Sequence, residues 1–373
     1  APPARVQPQR LAASLLPLPQ APRIALVNGA LAPQLQAGDS DGVRVEDLAA
    51  LLAGESDTAL RALREPADDA DDRFALLAEA CAGGGARIEV AARAAPAQPL
   101  YLLHVDTAAA PAASHTRLVI ELAPHSTLTL VEHFVTLGAA PALANLAAEF
   151  RLGEGATLRH LRLHAQAASV AQVETWTGTL AAGARYEQQL LLLGGQLVRS
   201  GLRLALAGAG AEAHLAGLFM LDGARQADVY TRIEHAAPRT RVAQNFRGIA
   251  SDRGQGAFSG RIIVQPAARG ADAAQSSRNL LLSPQAAINA RPQLEILCDD
   301  VQCRHGATTG TLDPNQYFYL LSRGLAPAAA RALLTHAFCA DVIAALAVPA
   351  LRGNIEELVV GRLPDHDLIR GLR

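Results

Sequence analysis

At 373 residues, half of them hydrophobic, the chain is long enough to bury one or two substantial cores and too apolar to be disordered. Its 33 basic residues, all arginine, nearly balance 35 acidic ones, so a net charge of -2 gives no overall pull toward nucleic acid or an anionic membrane. The absence of lysine excludes Schiff-base chemistry and a Walker-type nucleotide site, and no Gly-x-Ser-x-Gly elbow or His-Glu-x-x-His helix is present.

Residues 1–22, rich in proline, alanine and glutamine, read as a loose arm without the apolar run of a signal peptide. Arg23 to Gly29 is strand-like and ends in an Asn-Gly turn signal. Val45 to Ala53 and Asp72 to Cys81 space their apolar residues as helices do, and the glycines at 83–85 stop the second, which sets a domain boundary there. From Ala86 to Leu312 the pattern alternates with period two, as in Arg117 to Leu122, Thr127 to Glu132 and Thr157 to Leu163.

These strands recur behind small-residue turns at His125, Gly155, Gly183 and Gly210, spaced 30, 28 and 27 residues, then after a 46-residue gap at Gly256 and 30 further at Ala286. A steady period near 28 residues predicts a stacked β-solenoid over an antiparallel sandwich. Asp313-Pro314 then caps a helix that stops at Gly324, Pro327 opens a second, and Asn354 to Arg362 forms a third. The apolar run Leu333 to Leu351 is broken by His336, Asp341 and Pro349 and reads as buried helix, not membrane span. The expected fold is mainly β with helical ends: an N-terminal arm and helical domain (1–85), a β-helix (solenoid) core (86–312) and a C-terminal helical domain (313–373).

Cys81, Cys298, Cys303 and Cys339 are widely scattered, the pattern of reduced thiols, which implies a cytoplasmic location. The richest local cluster is Cys298 to His305. On one strand Cys303 and His305 share a face, whereas Cys298 falls on the other. A thiolate and an imidazole suit iron, yet two ligands do not complete a site, and spacing alone favours a small buried cysteine and a satisfied edge histidine over metal binding. Asp299-Asp300 read as a solvated turn. His133, His160 and His164 show no acidic partner in register and read as structural or surface residues. Tyr317-Phe318-Tyr319 and Phe338 serve either helix packing or docking.

Phe258 to Val264, Asn279 to Ser283, Arg291 to Ile296, Asp299 to Thr308 and Phe318 to Gly324 together resemble the SufB/SufD family of iron–sulfur cluster assembly scaffolds. The resemblance is dense from Gly248 to Gly324 and looser beyond. It is to the SufD branch, because SufB-like chains carry a glutamate where this one has Gly306 and a cysteine within the segment matching Gln275 to Leu280. It implies a non-enzymatic scaffold subunit, without nucleic-acid or membrane partners, that pairs with a SufB-like paralogue through the β core. A SufC-like ABC ATPase would dock at the C-terminal helices, on which Tyr317, Arg323 and Phe338 are the candidate contacts. The implied cofactor is iron or an iron–sulfur cluster, held transiently at the subunit interface by Cys303 and His305 with ligands from the partner. Alone, the chain is a candidate homodimer. The alternative from another class is a β-solenoid carbohydrate-binding module or polysaccharide-acting enzyme, which would need paired carboxylates or an exposed aromatic track.

Overall fold

A computed structural model describes residues 6–53, 73–364 and 367–370. After a short helix α1 (Pro8–Ala12) come β1 (Arg23–Val27), β2 (Ala30–Leu31), β3 (Val43–Asp47), α2 (Leu48–Ala53) and α3 (Arg73–Cys81). The core runs through β4 (Gly84–Val90), β5 (Leu100–Asp106), β6 (Ala112–Leu122), β7 (Thr127–Thr136), β8 (Ala142–Leu152) and β9 (Thr157–His164). It continues with β10 (Val170–Leu180), β11 (Arg185–Leu192), β12 (Leu197–Leu206), β13 (Glu212–Leu221) and β14 (Gln226–His235). The last strands are β15 (Arg241–Ala250), β16 (Gln255–Val264), β17 (Ala271–Leu281), β18 (Ala287–Ile296) and β19 (Val301–Gly310). Four α-helices follow among the described residues, α4 (Pro314–Ser322), α5 (Pro327–Ala344), α6 (Arg352–Val360) and the short α7 (Asp367–Arg370).

From β4 onward successive strands alternate between two sheets, and within each sheet every neighbour is parallel. One sheet has the order β19-β17-β15-β13-β11-β9-β7-β5-β1-β2, the other β18-β16-β14-β12-β10-β8-β6-β4-β3. This is the solenoid that the period announced. At one corner of each turn a residue adopts a left-handed backbone: His125, Gly155, Gly183, Gly210, Arg239 and Gly270, with φ between 56° and 70°. Each donates its N–H to a carbonyl one turn further on, from His125 to Glu154 (2.7 Å) up to Gly270 to Asp300 (2.7 Å). The 46-residue gap in the sequence repeat therefore vanishes. Arg239 holds the missing corner, where an arginine in place of glycine hides the signal, whereas Gly256 lies in β16 of the other sheet and Ala286 just before β18 of that sheet.

The interior between the sheets is packed by Leu158, Phe150, Tyr186, Leu202, Phe246, Phe258 and their neighbours, all buried. Because in-register parallel stacking aligns equivalent positions, large and small side chains must alternate along a column. Phe246 lies beside Gly217 and Phe219 beside Gly248 on the adjacent strand, and a Cβ on either glycine would come within 2.4 Å of the ring. The outer face of the β5-to-β17 sheet is buried as well. Tyr101, Val131, Leu161, Leu191, Met220 and Ile249 form a second core with Leu11 of the arm and Val342, Leu346 and Ile355 of the C-terminal helices.

Near the N-terminus Val43–Asp47 is a strand, although the spacing of Val45 to Ala53 suggested a helix, which begins only at Leu48. Pairing with β4 and contact of Val43 and Val45 with the interior override the local pattern. The Arg73–Cys81 helix is present, and Asp72 lies outside the described residues. Gly84 and Gly85 open β4, so the glycine run marks close backbone approach more than a helix stop: a Cβ on Gly85 would lie 1.8 Å from the Arg117 carbonyl. No described helix is long and apolar enough to cross a membrane.

Gly183 has φ 63° and open space where a Cβ would go, so Gly183→Ala isolates the backbone cost of the corner. Urea unfolding of the variant is expected to show a loss of about 1 kcal/mol. An unchanged midpoint would mean that the corner conformation does not constrain the coil.

Candidate functional site

The last turn of the solenoid is open. Among the described residues β18 and β19 each have a neighbouring strand on one side only, so the outer row of backbone groups on each pairs with no other strand. Most of their residues are exposed, including Ile296 and the adjacent Leu297, which are 44% and 51% accessible.

Cys303 and His305 both lie in β19, and strand register settles which way they face. Cys303 ends the column Leu128, Leu158, Tyr186, Ala213, Val242 and Ala273, every member of which is in the interior core. His305 ends the parallel column His160, Gln188, Leu215, Gln244 and Gln275, likewise buried. The two therefore share the inward face of the uncovered turn, as their spacing predicts. Cys303 packs partly against the interior, whereas His305 is exposed. Burial, with the nearby Asp272 carboxylate, pushes the Cys303 thiol above its ordinary value.

Cys298 does not obey the strand-parity argument, because it sits in the connection between β18 and β19 and not in a strand. It packs against the same interior core as Cys303. Asp299 and Asp300 are exposed on that connection, with Asp300 3.8 Å from Arg269. Among the described residues no group of three or more His, Cys, Asp or Glu side chains could hold a metal ion.

The C-terminal helices carry the second candidate surface. Asp313 caps α4 by accepting from the Asn315 N–H at 2.8 Å, while α5 starts at Ala326 with no side-chain cap. On α4, Phe318 and Tyr319 are 71% and 55% exposed, and the exposed Arg323 guanidinium lies 5.1 Å from the Tyr319 ring centre. Tyr317 turns inward: its hydroxyl accepts from Arg331 at 3.1 Å, and it lines a 560 Å³ cleft between the last turn and the helices. Phe338 on α5 is half-buried, with the Arg247 guanidinium 5.1 Å from its ring, and its carbonyl accepts from the same arginine at 2.6 Å. Asp341, 2.6 Å from Arg247, completes that clasp between helix and sheet.

The core domain of the SUF-system iron–sulfur cluster assembly proteins, SufBD, matches residues 104–338. The chain belongs to the SufBD family. It is 31% identical to the iron–sulfur cluster assembly protein SufD of Escherichia coli over 294 residues, which cover 78% of this chain and 70% of that protein. A SufBD family protein of Synechocystis is 27% identical over 361 residues, 92% of this chain and 78% of its own length. The SufD of Bacillus subtilis is 26% identical over 78% of this chain and 66% of its own length. The chain is thus a SufD-like scaffold subunit of iron–sulfur cluster assembly. The polymer-binding alternative falls with this finding, and Trp176, the sole tryptophan, is fully buried and offers no exposed track.

The interior of this SufBD core also holds a polar network that strand patterning did not reveal. His104 Nε2 and His160 Nε2 contact the two oxygens of Glu132 at 2.9 and 2.8 Å. Arg162 donates to Glu174 (2.8 Å) and Gln188 (2.9 Å), and His164 lies 3.5 Å from Glu174. His133 faces the second core instead and bonds the Tyr101 hydroxyl at 2.9 Å. The three histidines are thus buried, and His160 and His164 do have acidic partners. Those partners come from other strands, Glu132 on β7 and Glu174 on β10. The alternation in β9 is inverted, with Leu161 and Leu163 facing the helices while His160 and Arg162 face the lumen. A strand buried on both faces defeats the rule that polar positions point outward.

Burial alone would raise the Glu132 carboxyl, but donation from His104 and His160 outweighs it and holds the group at about 2, below its ordinary 4.5. Burial pushes His160 down, which keeps its ring a neutral donor. A depressed carboxyl contributes stability that is present above its ordinary value and lost as pH falls toward the folded one. Glu132→Gln is therefore expected to lose roughly 3 kcal/mol at neutral pH. It should also flatten the fall in stability between pH 4.5 and 2, measured by urea unfolding across pH. An unchanged acid limb would show that Glu132 is not the ionised member.

Proposed function

We propose that this SufD-like chain is a non-catalytic subunit whose open end is completed by a SufB-like paralogue, and that Cys303 and His305 lend ligands there to iron or a nascent iron–sulfur cluster. The observation that carries the reading is the placement of a thiol and an imidazole, two residues apart, on the inward face of an uncovered terminal turn. Soft thiolate and imidazole donors suit iron. Two donors from one chain leave the remaining positions to the chain that covers the edge. The raised Cys303 thiol releases its proton on meeting the metal, so loading at that position is coupled to proton release. The exposed parallel edges suit pairing with a second solenoid of the same pitch, either a paralogue or, when the chain is alone, a second copy.

The exposed pair Phe318 and Tyr319, with Arg323, suits an aromatic anchor for the ABC ATPase, because they are free of the intramolecular contacts that hold Tyr317 and Phe338.

In a reconstituted complex that still assembles, His305→Ala is expected to slow cluster formation by roughly tenfold or more. Formation at the wild-type rate would make the histidine structural. Cys303→Ser, which keeps the small side chain, should lower cluster yield if the thiol is a ligand and leave it intact if it only packs. Replacing Phe318 and Tyr319 by serine should weaken ATPase copurification about tenfold or more without lowering Tm. Unchanged copurification would move the docking surface elsewhere.

A further inference from the structure

Gln275 lies one strand behind His305. It is the direct register partner of His305 across the β17–β19 ladder and occupies the same inward column. The residue is only 3% exposed, yet among the described residues neither its Oε1 nor its Nε2 has a hydrogen-bond partner. A buried amide left unpaired on both atoms is uncommon, because the bonds it made to water in the unfolded chain are not replaced. On its other side Gln244, its partner on β15, accepts from the Thr231 hydroxyl through Oε1 at 2.9 Å, while its buried Nε2 has no hydrogen-bond partner among the described residues. Across the lumen the chain has kept space for the Gln275 head group. Gly260 of β16 carries no side chain, and a Cβ there would come 2.0 Å from Gln275 Nε2 and 2.8 Å from its Cδ. The amide head group thus lies against Gly260, with Gln244 one ladder step to one side and His305 one step to the other.

Neighbouring strands lie about 4.8 Å apart, so same-face side chains one ladder step away are within reach of each other. We infer that Gln275 is a positioning residue for His305, its amide hydrogen-bonding one ring nitrogen and leaving the other directed out of the open end. An amide offers both a donor and an acceptor, so it can pair with either nitrogen of a neutral imidazole. A histidine that gives one nitrogen to a metal commonly engages the other with a neighbouring acceptor, which fixes tautomer and ring orientation. The inference deepens the proposed role of His305 and rests on that reading for its consequence in cluster assembly. The contact itself is testable without it.

The test uses the full chain labelled with nitrogen-15 histidine, with the His305 signals identified by their loss in His305→Ala. At mildly alkaline pH the two ring nitrogens of wild-type His305 are expected to be well separated, the signature of one held tautomer. Gln275→Met keeps the length and apolar stem but removes the amide. It should draw the two signals together as the tautomers interchange, and Gln275→Glu, which restores an acceptor, should separate them again. Met also tests the plain packing alternative, since removing an amide that serves nothing would leave the ring signals unchanged. That result overturns the inference, whatever His305→Ala does to cluster formation. In the reconstituted complex Gln275→Met is further expected to slow cluster formation roughly tenfold while His305 is intact. Altered ring signals together with wild-type cluster formation by His305→Ala would support the contact and overturn the ligand role of His305 instead.

Discussion

The structure depends on one left-handed residue per turn. At His125, Gly155, Gly183, Gly210, Arg239 and Gly270 the backbone enters a region costly to most residues and turns the corner in a few residues. The N–H freed by that turn bonds the corresponding corner one turn onward, so each corner fixes the height of the next. Constant pitch follows, and with it exact register: every strand from β5 to β19 in one sheet pairs with no slippage over the full ladder. Register then decides chemistry. A one-residue shift in β19 would turn Cys303 and His305 from the lumen side to the outer face.

The same stacking explains why charged residues are tolerated in the interior. Positions two residues apart on neighbouring strands share one face, so a donor on one strand can reach an acceptor on the next diagonally. Glu132, whose ladder partners are Leu102 and Arg162, is served in this way by histidines from two adjacent strands, His104 on β5 and His160 on β9. Arg162 reaches Gln188 on the neighbouring strand and Glu174 on the opposite sheet. Such a network is costly to break, because removing one member strands the others in a low-dielectric interior. His104, Phe134 and His164 stack with ring centres 4.2 Å apart, so the polar file borders an aromatic stack.

Much of the coil was legible because its period is written in small residues at the corners. The arginine at 239 concealed one corner, since propensity at a single position says little when backbone bonding on both sides dictates the conformation. The strand at Val43–Asp47 was concealed by helix-like spacing that only its pairing partner β4 could overrule. At the site, period two placed Cys303 and His305 on one face because both lie in a regular strand. The same logic misplaced Cys298, which belongs to a turn, and could not find Gln275, whose relevance depends on a ladder partner thirty residues away in sequence. His160 and His164 were read as lacking acidic partners for a related reason. Partners supplied by other strands, and a strand buried on both faces, leave no trace in local alternation.

The two ends of the coil are treated differently, and that contrast bears on function. At the N-terminal end each sheet finishes with an antiparallel strand, β2 and β3, the former only two residues long, and antiparallel pairing breaks the repeat that another solenoid would continue. At the other end β18 and β19 run ten residues each, stay parallel and in pitch, and among the described residues have no strand on their outer side. Pro292 in β18 fits an edge position, since a proline is poorly tolerated in the middle of a sheet. Proteins ordinarily blunt long edges because they invite pairing. Here one end is closed off by antiparallel strands, whereas the end bearing Cys303 and His305 is interrupted only by Pro292 in β18. An edge left long, parallel and apolar at Ile296 and Leu297 is suited to being covered by another chain. A chain seated there would close the lumen over the two side chains and exclude water from them.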